Sequence, residues 1–517
     1  MSDTLAIPRS VPAGDPAASE TSLNRRLAMI LMMAAFASKV LGFLREILMA
    51  HLLGATLVAD SFRGAMTATL LPLAILQHDS VTTILIPLCR DWRSFGDAPR
   101  RVAALTFNLT LAALVLMIGV ELLGGRWIDA MVSGFDRDGQ RMTLDFARIM
   151  ALGMPGAVMS NCLAAGELTL GRSRLTSLRS TVLNLSLLAG IGLFAVTGRY
   201  GALAWSFAIA FDGLAIWGGI TLWREGELSL DGIRPTILIS TAAEFCRRLR
   251  PLLIVPLAEQ GNVWLERTLA SRFITGTVAS LDYARTLTES AVLLVSQPLG
   301  LVVMSGVPAA DPHARIEAIA RPILCVALPV SVFLGLFAPD ITRLIFQRGA
   351  FDETAVLLTS QALRGIACGL WASTLGWILL RMLNTTGRNV CVAIILTSAF
   401  ASNAAVNLLT YKLESNMEPL MLGLGETVRW YVLLVGTAIA LKCGRRIAQL
   451  LAIAIVPAAT MGGCGWLIEE SAAGMLQRIV EGGIACTACI LIGGIFLTPS
   501  AYSAGIRSVR LRWRGQR

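Results

Sequence analysis

Lys39, Arg45 and Glu46 sit inside one long apolar run, and Glu259, Glu266, Arg267, Asp282, Arg285 and Glu289 crowd into two more. Cations in such places can bind an anion. A guanidinium meets two phosphate oxygens at once and stays charged, and an ammonium acts as a compact point charge. Carboxylates beside them can neutralise them, orient them, or give way to the anion. A charge at the centre of a membrane helix costs roughly 2.5–3.5 kcal/mol on insertion scales, so these groups must face one another or a hydrated cavity. Lys39, Gly42 and Glu46 fall close to one helical face, with Arg45 at its edge. That face is either a cavity lining or a structural ion pair with a snorkelling arginine. Arg285 and Glu289 have the spacing of a direct pair. A pair that only joined helices would carry a large desolvation cost for little gain. A water-filled cavity lowers that cost and leaves Arg285 as an anion contact, with Arg267 beside it.

Other polar groups are more isolated. Asp60 and Arg63 open the next run, where they can cap helix amides or complement nearby charge. His78 and Asp79 lie deeper in it, as a proton-linked site or a buried polar bridge. Asp212 is a lone acid in a later run, suited to ion coupling or to a hydrogen-bonded helix contact. Arg343, Arg348 and Asp352 flank Phe346 and Phe351, which reads as an interfacial loop, and Arg364 follows as a further cavity candidate. The ten cysteines are scattered and there are three histidines, so no metal site is expected. The chain has no GxxxxGK[ST] loop, GxSxG elbow or HExxH helix. These features point away from an enzyme and from a nucleotide-driven pump. They point to a transporter without a cofactor, coupled to the membrane potential or to a monovalent ion.

The elements that must position these residues are membrane helices. Hydrophobic residues make up 55% of the 517 and charged ones 15%, against roughly 25% charged in soluble domains; the mean hydropathy is +0.67. Apolar runs of crossing length recur about fourteen times, among them 64–88, 143–166, 234–270, 319–338 and 356–382. Only helices satisfy the backbone in lipid at this hydropathy. The expected fold is all-α and polytopic, with about fourteen transmembrane helices. Gly166–Arg172 leading to Asn184-Leu185 is faintly echoed by Arg381–Arg388 leading to Asn407-Leu408, and Leu53–Asp60 by Ile274–Asp282. These echoes suggest parallel repeats, a transporter design. The expected organisation is a tail at 1–24, six-helix lobes at 25–230 and 231–442, two added helices at 443–502, and a basic tail at 503–517. The net charge of +10 is spread over alternate loops, which argues against nucleic acid and places both termini in the cytoplasm.

At the charged helices the chain resembles the MviN/MurJ family of bacterial lipid II flippases, within the larger group of multidrug and polysaccharide-lipid exporters. The segments that carry the resemblance are Ser38–Glu46 followed by Leu53-Gly54-Ala55 and Ala59–Phe62, then Leu269-Ala270-Ser271 with Gly276–Arg285, and then Arg343–Phe351 with Gln361-Ala362-Leu363. It implies two six-helix lobes around a basic cavity, with two further helices holding a lipid tail. It also implies that Lys39, Arg45 and Arg285 meet the diphosphate of a polyprenyl-linked sugar, with Asp60 and Glu289 at conserved acidic positions. The implied setting is the bacterial inner membrane, with membrane lipids and envelope-synthesis enzymes as further partners. Two departures stand out. Lys39 replaces an arginine, keeping charge but losing the bidentate fork. Leu73-Ala74-Ile75-Leu76 lacks an arginine of the family, and Gln77-His78-Asp79-Ser80 replaces an acidic-glycine sequence. The cargo is therefore a lipid II-like precursor or a lipid-linked exopolysaccharide unit. Outside transport, a membrane scaffold for envelope synthesis, with its charges as buried pairs, is the competing class.

Overall fold

Long apolar runs fold here as helices, several of which continue through an internal proline, such as Pro72 and Pro457. The computed structural model describes residues 16–77, 79–306, 312–413, 417–471 and 474–497. His78 and the basic tail at 503–517 lie outside the described residues, as does much of the tail at 1–24. In chain order the helices are α1 (Pro16–Leu53), α2 (Leu57–Gln77), α3 (Asp79–Ser94), α4 (Ala98–Met131), α5 (Arg137–Ala151), α6 (Met154–Leu168), α7 (Arg174–Thr197), α8 (Gly201–Arg224), α9 (Pro235–Leu249) and α10 (Ile254–Ala270). They continue with α11 (Thr277–Gly306), α12 (Pro312–Leu336), α13 (Ala338–Phe346), α14 (Glu353–Ala367), α15 (Leu370–Thr385), α16 (Asn389–Leu413), α17 (Glu418–Ala440), α18 (Gly444–Ser471) and α19 (Met475–Leu497).

The protein is an all-α, multi-pass membrane protein. Among the described residues seven helices are long and apolar enough to cross a bilayer, or nine if each of two bent pairs is one span. Hydropathy read 143–166 and 356–382 as single runs. The chain instead bends by 44° between α5 and α6 and by 47° between α14 and α15. The two breaks are built alike. Asp136 caps α5 by accepting from the Gly139 amide at 2.8 Å, and Asp352 caps α14 by accepting from the Ala355 amide at 2.8 Å. At the bends, Gly153 lies against the backbone of Ala208 in α8 and Gly369 against that of Thr427 in α17. A side chain at either glycine would push the helices apart.

The run at 234–270 is also two helices. Arg250, Pro251 and Leu252 form a single 3₁₀ turn between α9 and α10, because proline removes a helix donor and clashes with the preceding turn. Helix α9 is then tied to the ends of α3 and α4 by polar contacts: Arg248 to Asp91 at 3.0 Å, Trp92 Nε1 to Glu244 at 3.1 Å, and Arg101 to Glu244 at 3.6 Å. In a neighbouring loop, hydrogen bonds from Arg174 and Arg172 hold the Glu225 carboxyl below its ordinary pKa. The last two helices, α18 and α19, pack on α12. Arg478 at the start of α19 grips Asp340 of α13 through two hydrogen bonds of 2.8 and 2.7 Å.

One end of the bundle is closed by loops that exchange contacts in a near-symmetric way. The Ala350 amide donates to His51 O at 2.9 Å, joining the α13–α14 loop to the end of α1. The Gly134 amide donates to Ser271 Oγ at 3.1 Å, joining the α4–α5 loop to the end of α10. Gly54 and Gly276, just before α2 and α11, both have positive φ, +61° and +97°. Each also presses on a carbonyl of the other half, Gly54 on Ala350 O and Gly276 on Ala55 O. Only glycine fits this combination of left-handed backbone and close approach. Phe346 and Phe351 are buried beneath Tyr283, with ring centroids 5.2 and 5.5 Å from it. The segment expected to be an interfacial loop is thus part of this closure, with Arg343 paired to Glu353 at 3.0 Å and Arg348 donating to Leu344 O.

Replacing Gly54 by alanine is expected to cost about 1–3 kcal/mol from the left-handed backbone alone. The check is the denaturation midpoint in detergent, and an unchanged midpoint would show that the closed end tolerates separation.

Candidate functional site

Just inside that closed end, charges alternate across five helices. Glu46 on α1 accepts from Arg45 Nη2 at 2.6 Å and from Arg63 Nη2 of α2 at 2.5 Å. The other terminal nitrogen of Arg63, Nη1, donates to Asp282 of α11 at 3.2 Å. Asp282 also accepts from Arg267 of α10 at 2.7 Å and from Arg285 at 3.3 Å. Arg285 in turn donates to Glu266 of α10 at 2.5 Å and to Glu426 of α17. Arg429 ends the series 3.5 Å from Glu426. Five arginines thus meet four carboxylates. The inner members are almost fully buried: both Arg63 and Glu46 side chains are 4% exposed. Arg63 also lies over the Tyr283 ring, 4.5 Å from its centroid, and the Tyr283 hydroxyl donates to Gly54 O at 2.9 Å.

Asp60 belongs to the same region but not to the ladder. Although it lies in the first turn of α2, it caps α11, accepting from the Gly276 and Ala279 amides at 2.6 and 2.7 Å. Those amides are among the free donors at a helix start, where a carboxylate is favoured.

The ladder separates the closed end from a cleft. Along α1 the order is cleft (Ser38 to Phe43), ladder (Arg45, Glu46), closed end (His51 to Gly54). The antiparallel α11 gives the same order in reverse: closed end (Gly276 to Ala279), ladder (Asp282, Arg285), cleft (Thr286 to Val292). Two cavities make up the cleft. One, of about 490 Å³, is lined by hydroxyl and amide groups including Ser177, Ser180 and Asn184, with Lys39, Arg45 and Glu46. The other, of about 540 Å³, is lined by Arg285, Glu426, Arg429, Trp377 and Trp430. Lys39 and Glu289 line both, and their 2.7 Å bridge stands between them. Asn184 anchors the first wall: its side-chain oxygen accepts from Arg45 at 2.9 Å, and its amide donates to Ser38 O at 2.8 Å.

The residues singled out from the sequence divide clearly. Lys39, Arg45, Glu46, Glu289 and Arg285 line the cleft, and Arg267 and Glu266 stand behind it in the ladder. Arg285 and Glu289, however, do not pair with each other. Arg285 is drawn to carboxylates of α10 and α17, and Glu289 turns to Lys39 across the cleft. Asp212 stands apart, packed closely against Gly156 just after the α5–α6 bend. Arg364 is exposed and lines neither cavity. Arg63 takes the second of its two expected roles, complementing nearby charge rather than capping. Two members were not foreseen: Glu426 and Arg429 drew no notice inside an apolar run, although a charged pair three residues apart in such a run is itself a signal.

The cleft cations are paired without being sealed. Lys39 is 53% exposed, Arg45 19% and Arg285 24%. An anion entering the cleft can therefore reach all three, competing with carboxylates already in place.

Comparison with known proteins supplies a family. Residues 49–480 match the family model described as lipid II flippase MurJ. A lipid II flippase MurJ of Burkholderia cenocepacia is 24% identical over 373 residues, covering 67% of this chain and 69% of that one. A probable lipid II flippase MurJ of Haemophilus influenzae is 22% identical over 475 residues, covering 83% and 89%. Among solved structures, a lipid II flippase MurJ in an inward closed conformation superposes with a TM-score of 0.79 at 15% identity, over 92% of this chain and all of that one.

Arg63→Met would leave Glu46 and Asp282 buried without their shared cation, and is expected to destabilise the protein by about 3–5 kcal/mol. Lys39→Met breaks an exposed bridge and should cost no more than about 1 kcal/mol. Denaturation of the two variants in the same detergent checks the difference; equal losses would mean the ladder does not join the helices.

Proposed function

Because the chain belongs to the lipid II flippase MurJ family, we propose that its ladder and cleft form the headgroup site of a flippase. The chain is a transporter of a polyprenyl-diphosphate-linked sugar of the lipid II type, and no covalent bond changes. The observation that carries the reading is the convergence of Lys39, Arg45 and Arg285 on one cleft inside the bundle. A diphosphate entering there exchanges with the carboxylates that now hold these cations. Arginine offers it paired donors, and Lys39 a mobile charge. The polyprenyl tail stays in lipid.

The fourteen-helix, two-lobe organisation belongs to this reading. The charged helices α1, α10, α11 and α17, and α2 continued by α3, cross the membrane beside the nine more apolar spans. The matched bends of α5–α6 and α14–α15, and the reciprocal loop contacts at the closed end, support two lobes built on one plan. Arginine-rich loops put both termini in the cytoplasm, so the cleft faces inward and the closed end outward. Rocking the lobes would part the backbone contacts at the closed end and expose the headgroup outside. The membrane potential favours that direction, since moving one elementary charge across 100 mV is worth about 2.3 kcal/mol and the headgroup is an anion leaving a negative interior. Glu46, Glu266 and Glu289 act as supporting acids that hold the cations between cargos, while Asp60 supports the site by tying α2 to the start of α11.

A second cargo, a lipid-linked exopolysaccharide unit, is favoured by one feature: Leu73 is fully buried in the stretch where the family carries a further arginine. Lipids retained by the gently purified protein, identified by mass spectrometry, separate the two cargos.

Arg285→Glu and Arg45→Glu should each lower flipping by roughly 30-fold or more, the scale of a truncated buried charge pair, while Lys39→Arg should retain it. The assay is accessibility of a fluorescent lipid-linked sugar in proteoliposomes. Wild-type rates in a well-folded Arg285→Glu protein would end the proposal.

A further inference from the structure

The two cavities differ in chemistry, and that difference has no explanation in diphosphate binding alone. The first is a wall of hydroxyls and amides with one aromatic ring, Phe43. The second carries two indoles. Trp377 of α15 and Trp430 of α17 have ring centroids 6.0 Å apart and planes inclined at 55°. The Arg429 guanidinium stacks over Trp430 at 4.3 Å. Trp377 is 45% exposed, a large apolar face left open beside charged side chains. Tryptophan in membrane proteins collects at the bilayer surface, where its N–H meets headgroups and its ring meets lipid. These two line the cavity that also holds Arg285, Glu426 and Lys39.

An indole face carries negative potential and attracts the polarised C–H groups on the flat side of a pyranose ring. The hydroxyls at that ring's edge then need donors and acceptors, which Arg429, Ser373 and Glu426 supply within the same cavity. Its volume of about 540 Å³ is in the usual range of small-molecule sites. The bridge of Lys39 with Glu289 marks the border with the first cavity, so cations stand at the junction between the two chambers.

We propose that Trp377 and Trp430 form a sugar-stacking wall, and that the second cavity holds a pyranose ring of the lipid-linked cargo while Lys39, Arg45 and Arg285 hold its diphosphate. The inference rests on the flippase reading and deepens it. Trp377 and Trp430 are then specificity determinants that distinguish a glycosylated lipid from its bare carrier.

The test uses the purified full-length chain and two probes, a polyprenyl diphosphate and the same lipid bearing an N-acetylhexosamine disaccharide, with binding measured by native mass spectrometry. Trp377→Leu and Trp430→Leu should weaken binding of the glycosylated probe roughly tenfold each, the scale of a buried tryptophan contact, and leave the bare probe unchanged. Trp377→Phe should recover most of the loss. Arg285→Ala should weaken both probes. Equal weakening of both probes by the tryptophan variants would overturn the sugar wall while leaving the flippase reading intact, and so would no change in either. Failure of the wild-type protein to bind either probe would overturn the flippase reading itself, and the sugar wall with it.

Discussion

A carboxylate or guanidinium taken from water into a bilayer pays several kcal/mol unless a partner of opposite charge meets it. Arg63 is where that constraint is most severe. It is 4% exposed, its two terminal nitrogens face Glu46 of α1 and Asp282 of α11, and its plane rests on Tyr283. Every other placement follows from it. Glu46 directs Arg45 toward Asn184 and the first cavity. Asp282 collects Arg267 and Arg285. Arg285, still holding unused donors, recruits Glu266 and Glu426 from two more helices. Helices with little apolar reason to approach one another in lipid are thereby drawn to one axis.

Asp60 and Tyr283 extend the same logic to the closed end. Asp60 sits on α2 yet satisfies the free amides of α11, and Tyr283 sits on α11 yet donates to the carbonyl of Gly54 before α2. Each half of the chain thus supplies a polar group that the other half's backbone requires. The positive-φ glycines at 54 and 276 bring the loops close enough for these bonds to form.

Much of this was legible because hydropathy makes charges conspicuous. Lys39, Arg45, Glu46 and Arg285 stood out in apolar runs, and each lines the cleft. What failed was pairing. Four-residue spacing joined Arg285 to Glu289 on paper, but a guanidinium with one carboxylate on its own helix and two on neighbouring helices is satisfied by them, and Glu289 is left to Lys39, 250 positions away. Arg63 was legible only in part: a charge near the start of a helix suggested a cap or a complement to nearby charge, and nothing local reveals that Glu46 and Asp282 converge on it. Helix bends were invisible too. Average hydropathy passes smoothly through Gly153 and Gly369, and only the backbone of the neighbouring helix explains why glycine stands there.

The ladder's gradient of exposure bears on how such a site can both hold and release an anion. Pairs near Arg63 are dry, so breaking them would strand charges, and they serve as the fixed frame. Lys39 and Glu289 are more than half exposed, so water replaces either partner at little cost. Arg45 and Arg285 lie between these extremes, anchored on one side to buried acids and open on the other to the cleft. A ligand can then exchange with the wet end of the series while the dry end keeps the helices in register. A uniformly buried ladder would bind no cargo, and a uniformly wet one would not hold five helices around a single axis.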